Sequence, residues 1–197
     1  RVGYFVGLWP VLPPQLVIRR DDQQFITREQ KRVSLAAVLE RNDLRGAVLE
    51  GRYFGPKLDA LLQTAKSAGS VQSLQTSANA NNLLSMLDAG RIDFTLDFLE
   101  TFQTSSEGRP ELRKRLMLVP LEEVQTPGIG GIYCSRTPRG KQLIERIDAL
   151  AQNPRLQARF QKIIDHYLPA EPRQPFAQWT GNYYQQRSQQ SITNLHE

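Results

Sequence analysis

The sequence has few of the residues from which proteins build disulfide frameworks and metal centres. Its 197 residues include 1 cysteine, Cys134, and 2 histidines. A single cysteine excludes an internal disulfide framework and a multi-cysteine metal site, and His166 and His196 lack cysteine or carboxylate neighbours at the spacing of metal ligands. We therefore expect no metal and no other cofactor, and we interpret Cys134 as a small buried apolar residue.

Long apolar runs and a targeting leader are also missing. The uncharged stretch Val6–Val17 is interrupted by prolines and is shorter than the roughly 20 residues that a membrane helix needs. The chain begins at Arg1, with no methionine and no charged-then-apolar leader, which indicates a processed form or a piece of a longer protein. With 40% apolar and 23% charged residues, the composition is typical of a globular protein.

The net charge of +5 is not concentrated in one part of the chain. Basic residues are scattered, mostly beside acidic ones, and aromatic residues do not alternate with them as in a nucleic-acid-binding stripe. This distribution indicates a solvated surface. We therefore expect no nucleic-acid partner.

What the sequence does contain is an alternation of strand and helix patterns. Gln15–Arg19 predicts a first strand and Leu44–Leu49 a second, and Pro56 then opens a helix at its first position. Further strands are predicted at Val71–Leu74 and Arg115–Leu121. Short connections between alternating strands and helices indicate an α/β fold with a parallel-type sheet flanked by helices.

The segment Leu83–Asp97 contains a helix, its end and a strand. Leu83, Leu84 and Leu87 share one helical face, and Gly90 ends the helix because glycine adopts the left-handed conformation without a steric penalty. Apolar and polar residues then alternate up to Phe98, which predicts a strand. Asp97 is therefore expected near the carboxyl end of a strand, where open α/β sheets bind ligands.

The last part of the chain is predicted to contain a strand, two helices and a tail. Ile129–Cys134 has a strand pattern, and helices are expected to begin near Pro138 and Pro154. The C-terminal tail is rich in proline and glutamine, and we interpret it as a partly ordered arm. Trp179 and Tyr183 would share a face if the tail were helical.

Three motifs occur in a characteristic order. Asp43-Leu44 precedes a glycine and an apolar strand, a turn with glycine at both ends spans Gly51–Gly55, and a Leu-x-x-Gly-Arg-x-Asp element spans Leu87–Asp93. In this order they resemble the second half of family 3 extracellular solute-binding proteins, the polar amino acid receptors of ABC importers.

The resemblance implies a fold of the type II periplasmic-binding-protein kind, with one complete lobe and part of a second. Residues 21–125 would form the complete ligand-binding lobe. Residues 1–20 and 126–168 would supply the hinge strands and the remnant of the other lobe, and residues 169–197 would form the tail. The arginine with which the family's first lobe grips the ligand carboxylate would then lie outside this sequence.

The resemblance also implies a ligand site. It places the family's ammonium-binding carboxylate at Asp97 and its backbone contact with the ligand carboxylate near Arg52–Phe54. Backbone N–H groups of Tyr53–Gly55, ahead of a helix, and the hydroxyls of Thr76 and Ser77 at the next helix start are suitable anion donors. The predicted ligand-binding residues are Arg52, Tyr53, Phe54, Thr76, Ser77 and Asp97.

These residues also have structural interpretations. Gly51–Pro56 is a strand-to-helix turn of a kind common to α/β proteins, and Tyr53 and Phe54 could simply pack on the surface. Asp97 could cap a backbone group or pair with Arg91. We interpret Arg91 and Asp93 as residues that close the turn after Gly90.

The function implied by the resemblance is that of a periplasmic, non-enzymatic binding protein. It would hold an amino-acid-like ligand in the cleft between two lobes and deliver it to an ABC transporter permease or a membrane sensor. The alternatives are a LysR-type regulator effector domain, a dehydratase on the same fold and a ligand-sensing module of a signalling protein. Apolar surface left by an absent lobe would also favour self-association.

Overall fold

The structure is a computed structural model that describes residues 3–22, 32–75, 80–167, 170–189 and 193–194. The chain divides into two compact units. Unit 1 comprises Arg1–Leu12 and Pro127–Glu197, and unit 2 comprises Pro13–Thr126. Among the described residues, the helices are all too short or too polar to cross a lipid bilayer.

The strands and helices follow one another along the chain with short connections. In chain order they are β1 (Gly3–Val11), β2 (Gln15–Arg19), α1 (Leu35–Leu39), β3 (Gly46–Leu49), α2 (Pro56–Ala68), β4 (Val71–Leu74), α3 (Ala80–Asp88), β5 (Thr95–Asp97), α4 (Leu99–Ser105), α5 (Pro110–Arg115), β6 (Leu116–Pro120), β7 (Gly128–Ser135), α6 (Pro138–Ala151), α7 (Pro154–Tyr167), α8 (Ala170–Gln189) and β8 (Thr193–Asn194).

The strands of unit 2 run in one direction apart from β2. Strands β3 and β4 pair in parallel, and Gly46 at the start of β3 makes a parallel bridge to Phe94, just before β5. Strand β2 pairs antiparallel with both β5 and β6. The β3-α2-β4-α3-β5 alternation confirms the predicted α/β fold, and β2 is an antiparallel insertion between parallel strands.

Proline and glycine fix the ends of the unit 2 helices, as the sequence predicts. Helix α2 has Pro56 in its first turn and ends at Gly69, whose φ of 81° is left-handed. Gly90 has a φ of 68° in the turn after α3. Only glycine adopts such backbone angles without strain. Both turns therefore bring the chain back to the sheet at defined points.

The sheet of unit 2 is covered on both faces. Leu16 and Ile18 of β2 belong to one hydrophobic cluster, whereas Val17 between them belongs to a second. The strand predicted before Phe98 is present as β5, and all three of its residues are buried. Thr95 and Asp97, the polar residues of β5, are buried together with Leu96.

Unit 1 is built around β1. This strand pairs antiparallel with β7 from Gly3 opposite Ser135 to Val11 opposite Gly128, and β8 pairs with its other edge. Helix α6 packs on β1 through Ile144. Cys134 is half-buried rather than buried and packs against this cluster.

The tail differs from the partly ordered arm that its composition suggests. Residues Ala170–Gln189 form the helix α8, and Trp179 stacks on Tyr183 with ring centroids 6.0 Å apart. Phe176 and Tyr183 are buried. The aromatic residues of the tail therefore contribute to the packing of unit 1.

Candidate functional site

The candidate site lies where two neighbouring parallel strands of unit 2 end. The loop from Gly51 to Gly55 follows β3 and enters α2, and Asp97 is the last residue of β5. The parallel bridge between Gly46 and Phe94 places these two strands side by side. Their carboxyl ends therefore lie at the same edge of the sheet, as in the ligand crevice of open α/β sheets.

Asp97 is a buried carboxylate that pairs with Arg52. Its side chain is 4% exposed, and its Oδ1 accepts hydrogen bonds from Nη2 of Arg52 and from the backbone N–H of Phe98, the latter at 2.7 Å. Burial raises the pKa of Asp97 to about 6, although the Arg52 charge and the Phe98 hydrogen bond both act to lower it. The partner of Asp97 is therefore Arg52, whereas the sequence suggested Arg91.

Two aromatic rings lie beside the Arg52 guanidinium. The rings of Phe54 and Phe98 are stacked with centroids 5.9 Å apart. Cζ of Arg52 lies 5.7 Å from the Phe54 centroid and 5.6 Å from the Phe98 centroid, within the range of cation–π attraction. The guanidinium is thus held by one carboxylate and two ring faces.

The loop backbone offers fewer free donors than the sequence suggests. The N–H of Phe54 donates to Oδ1 of Asp59 at 3.1 Å, so α2 satisfies that group with its own first-turn carboxylate. The expectation that this N–H is available to an anion is therefore wrong. Gly55 has a φ of 105°, which explains why glycine stands directly before Pro56.

The other predicted residues have different positions. Tyr53 is 64% exposed. Thr76 and Ser77 lie outside the described residues. Sequence reasoning missed Phe98, which supplies a ring and a hydrogen bond; its position next to Asp97 was the available signal.

Asp93 has a structural position close to the predicted turn. It accepts hydrogen bonds from the backbone N–H of Arg45 at 2.9 Å and from Nη2 of Arg19 at 3.1 Å. Arg19 also donates to the carbonyl oxygens of Leu87 and Ile92 at 2.8 and 2.7 Å. These contacts tie β2, the start of β3 and the turn after α3 together, which confirms a structural role for Asp93.

A separate groove of unit 2 has a volume of about 930 Å³ and lies against α1 and α2. Its lining includes Lys57, Leu61 and Glu122. Arg52, Tyr53, Phe54 and Asp97 do not line it, and its charges are of both signs. The groove therefore does not compete with the Arg52–Asp97 cluster as the candidate site.

Comparison with protein-family models and with curated proteins finds no match. Comparison with solved structures finds similar folds at low identity. The amino acid ABC transporter substrate-binding protein AbpA from Streptococcus pneumoniae, bound to L-arginine, is 16% identical with a TM-score of 0.59, and the match covers 84% of this chain and 61% of that chain.

Two further structures are similar to the same extent. One comes from work on glutathione import via GshT and the cystine ABC importer TcyBC of Streptococcus mutans, with 17% identity, a TM-score of 0.57 and coverage of 87% of this chain and 66% of that one. The other is a histidine kinase sensor domain with similarity to periplasmic binding proteins, with 14% identity, a TM-score of 0.57 and coverage of 84% and 63%.

These matches show the fold. The chain has a mixed α/β fold similar to that of periplasmic binding proteins, and it spans between 61% and 66% of the length of the three structures. The fold confirms the architecture that the sequence predicts.

Proposed function

We propose that unit 2 is the ligand-binding lobe of a receptor for an amino-acid-like solute, acting in an ABC import or membrane sensing system outside the cytoplasmic membrane. The observation that carries the proposal is the Arg52–Asp97 pair beside the rings of Phe54 and Phe98. Charged groups and aromatic faces at the carboxyl edge of a parallel sheet are suited to a small ligand with both polar and apolar parts.

The energetics of Asp97 support a functional role over a purely structural one. A carboxylate this deeply buried costs free energy that one arginine and one backbone N–H only partly offset, as its raised pKa shows. Perturbed ionisable groups of this kind cluster at functional sites. Asp93, which closes a turn, instead has a lowered pKa: burial acts to raise it, and the hydrogen bonds from Arg45 and Arg19 outweigh that effect.

Transport and sensing are both compatible with the fold. The similar structures include a substrate-binding protein of an ABC transporter and a sensor domain of a histidine kinase. The partner of this chain would accordingly be a permease or a membrane-bound sensor. The proposal assigns no catalytic residue, so bound solute should be recovered unchanged after incubation.

The test is a thermal-shift screen of free amino acids on the full-length protein. A ligand that binds only the folded state raises the melting temperature. We expect one chemical group of amino acids to raise it, and we expect Asp97→Asn to remove most of that rise. Arg115→Gln is the matched control, because Arg115 pairs with Asp88 at an exposed position elsewhere in unit 2.

Two results would overturn the proposal. One is a screen in which no amino acid or close analogue stabilises the protein. The other is a stabilisation that Asp97→Asn leaves unchanged, since the ligand would then bind away from the cluster. Conversion of a hit into a product would replace the receptor by an enzyme.

A further inference from the structure

The Arg52 guanidinium is only partly used by the protein. Its side chain is 17% exposed, and its one hydrogen bond within the described part of the chain is the contact of Nη2 with Asp97. An arginine carries several more N–H donors in a planar fork. The unused donors are therefore available to a solvent-borne acceptor.

The surroundings of Arg52 hold this fork in one orientation. The Asp97 carboxylate fixes Nη2, and the stacked rings of Phe54 and Phe98 both lie within 5.7 Å of Cζ. Such a guanidinium has lost most of its rotamer freedom before a ligand arrives. Pre-organisation of this kind lowers the entropic cost of binding.

The same contacts make Asp97 a poor site for a cation from outside. Its Oδ1 already accepts hydrogen bonds from Arg52 and Phe98. A ligand ammonium would have to displace Arg52 from both the carboxylate and the rings, or remain beside a second positive charge. An incoming carboxylate can bind the remaining N–H groups of Arg52 without breaking the Arg52–Asp97 contact, and the charge-assisted hydrogen bonds that it gains there oppose its repulsion from Asp97.

We infer that the Arg52 side chain is the anion anchor of this site, that the solute is recognised through a carboxylate group, and that Asp97 is a positioning residue which orients Arg52. The inference rests on the proposed function, because it assumes that a solute binds at this cluster. It assigns recognition of a carboxylate to a side chain of unit 2, and it makes an ammonium group on the solute dispensable.

The test follows the Nε–Hε signal of Arg52 by NMR in the isotope-labelled full-length protein. Propionate and propylammonium are the probes, because they share an alkyl chain and differ in the sign of their charge. We expect propionate to shift the Arg52 signal saturably at millimolar concentrations and propylammonium to leave it in place. Arg52→Gln identifies the signal, and the Arg115 signal is the internal control for non-specific anion binding.

The variants separate anchoring from folding. Arg52→Lys keeps the charge but loses the planar fork, so we expect propionate to bind at least about tenfold more weakly, a difference of about 1.4 kcal/mol. Asp97→Asn leaves Arg52 charged but unoriented, and we expect a similar weakening together with a changed Arg52 signal in the free protein. Arg115→Gln should leave propionate binding unchanged.

The inference is overturned if propylammonium shifts the Arg52 signal and propionate does not, or if propionate shifts Arg52 and Arg115 equally. If propionate does not shift the Arg52 signal while the amino acid screen still gives an Asp97-dependent hit, the role of Arg52 as anion anchor is wrong and the receptor function is retained. If propionate does not shift the Arg52 signal and the screen gives no hit, both the anion anchor and the receptor function are wrong.

Discussion

Arg187 of α8 donates a hydrogen bond to the carboxylate of Asp148 of α6, and solvent does not reach the arginine side chain. Its Nε also donates to the carbonyl oxygen of Gly7 in β1, at 3.2 Å. One side chain thereby joins the C-terminal helix to a helix and a strand that precede it in unit 1. Because both charges are buried, neither can be rehydrated if the other is removed.

Replacing Arg187 is therefore expected to destabilise unit 1 strongly. Arg187→Gln leaves the buried carboxylate of Asp148 without its cation, a change that costs about 3 to 5 kcal/mol in comparable sites. Urea denaturation measures the loss. The matched change Arg115→Gln breaks an exposed pair with Asp88 and should cost less than about 1 kcal/mol. Equal losses in the two variants would contradict the prediction.

Asp97 is expected to make stability fall as the pH rises. Its folded-state pKa of about 6 lies above the usual pKa of 3.8 for this side chain, so its contribution is fully present below about pH 4 and is lost as the pH rises through about 6. The shift corresponds to about 3 kcal/mol. We expect the unfolding free energy of the native protein to decline over this range relative to Asp97→Asn. Unfolding free energies that change with pH in the same way in both proteins would contradict this prediction.

Asp93 is expected to have the opposite effect. Hydrogen bonds from Arg45 and Arg19 outweigh the effect of burial and lower its pKa. Its contribution to stability is therefore present above the unfolded-state pKa of about 4 and is lost as the pH falls through the lower folded-state value. Asp93→Asn should flatten the acid limb of the stability curve, measured by urea midpoints between about pH 5 and pH 2. An unchanged acid limb would show that other carboxylates dominate it.

Asp97→Asn is also expected to weaken solute binding. The amide cannot hold the Arg52 guanidinium by charge, so we expect the affinity for a solute identified by the screen to fall at least about tenfold, or about 1.4 kcal/mol. Isothermal titration calorimetry measures the change. An unchanged dissociation constant would remove Asp97 from the site, even if its effect on stability were as predicted.

Much of unit 2 could be predicted from local signals. The proline at the start of α2, the left-handed glycine at its end and the change of apolar period after Gly90 each depend on a few adjacent residues. Such signals define where elements begin and end. They do not say how deeply a strand is buried: Thr95 and Asp97 are polar and are nevertheless buried together with Leu96.

Helix α8 shows how polar residues hide a helical pattern. Phe176, Thr180, Tyr183 and Arg187 are all buried and recur at helical spacing. Because two of these four residues are polar, the apolar residues alone show little periodicity. Arg187 is buried with hydrogen bonds to Asp148 and to the Gly7 carbonyl, and neither of these partners is close to it in the sequence.

The sequence by itself determined the order, type and approximate ends of the elements from β3 to β5, because backbone preferences and capping act over a few residues. The tertiary structure alone decided which charges meet. Arg52 and Asp97 are 45 residues apart, and they become partners because β3 and β5 lie side by side and end at the same edge of the sheet. An ion pair depends on distance in space, which the local pattern around either residue does not contain.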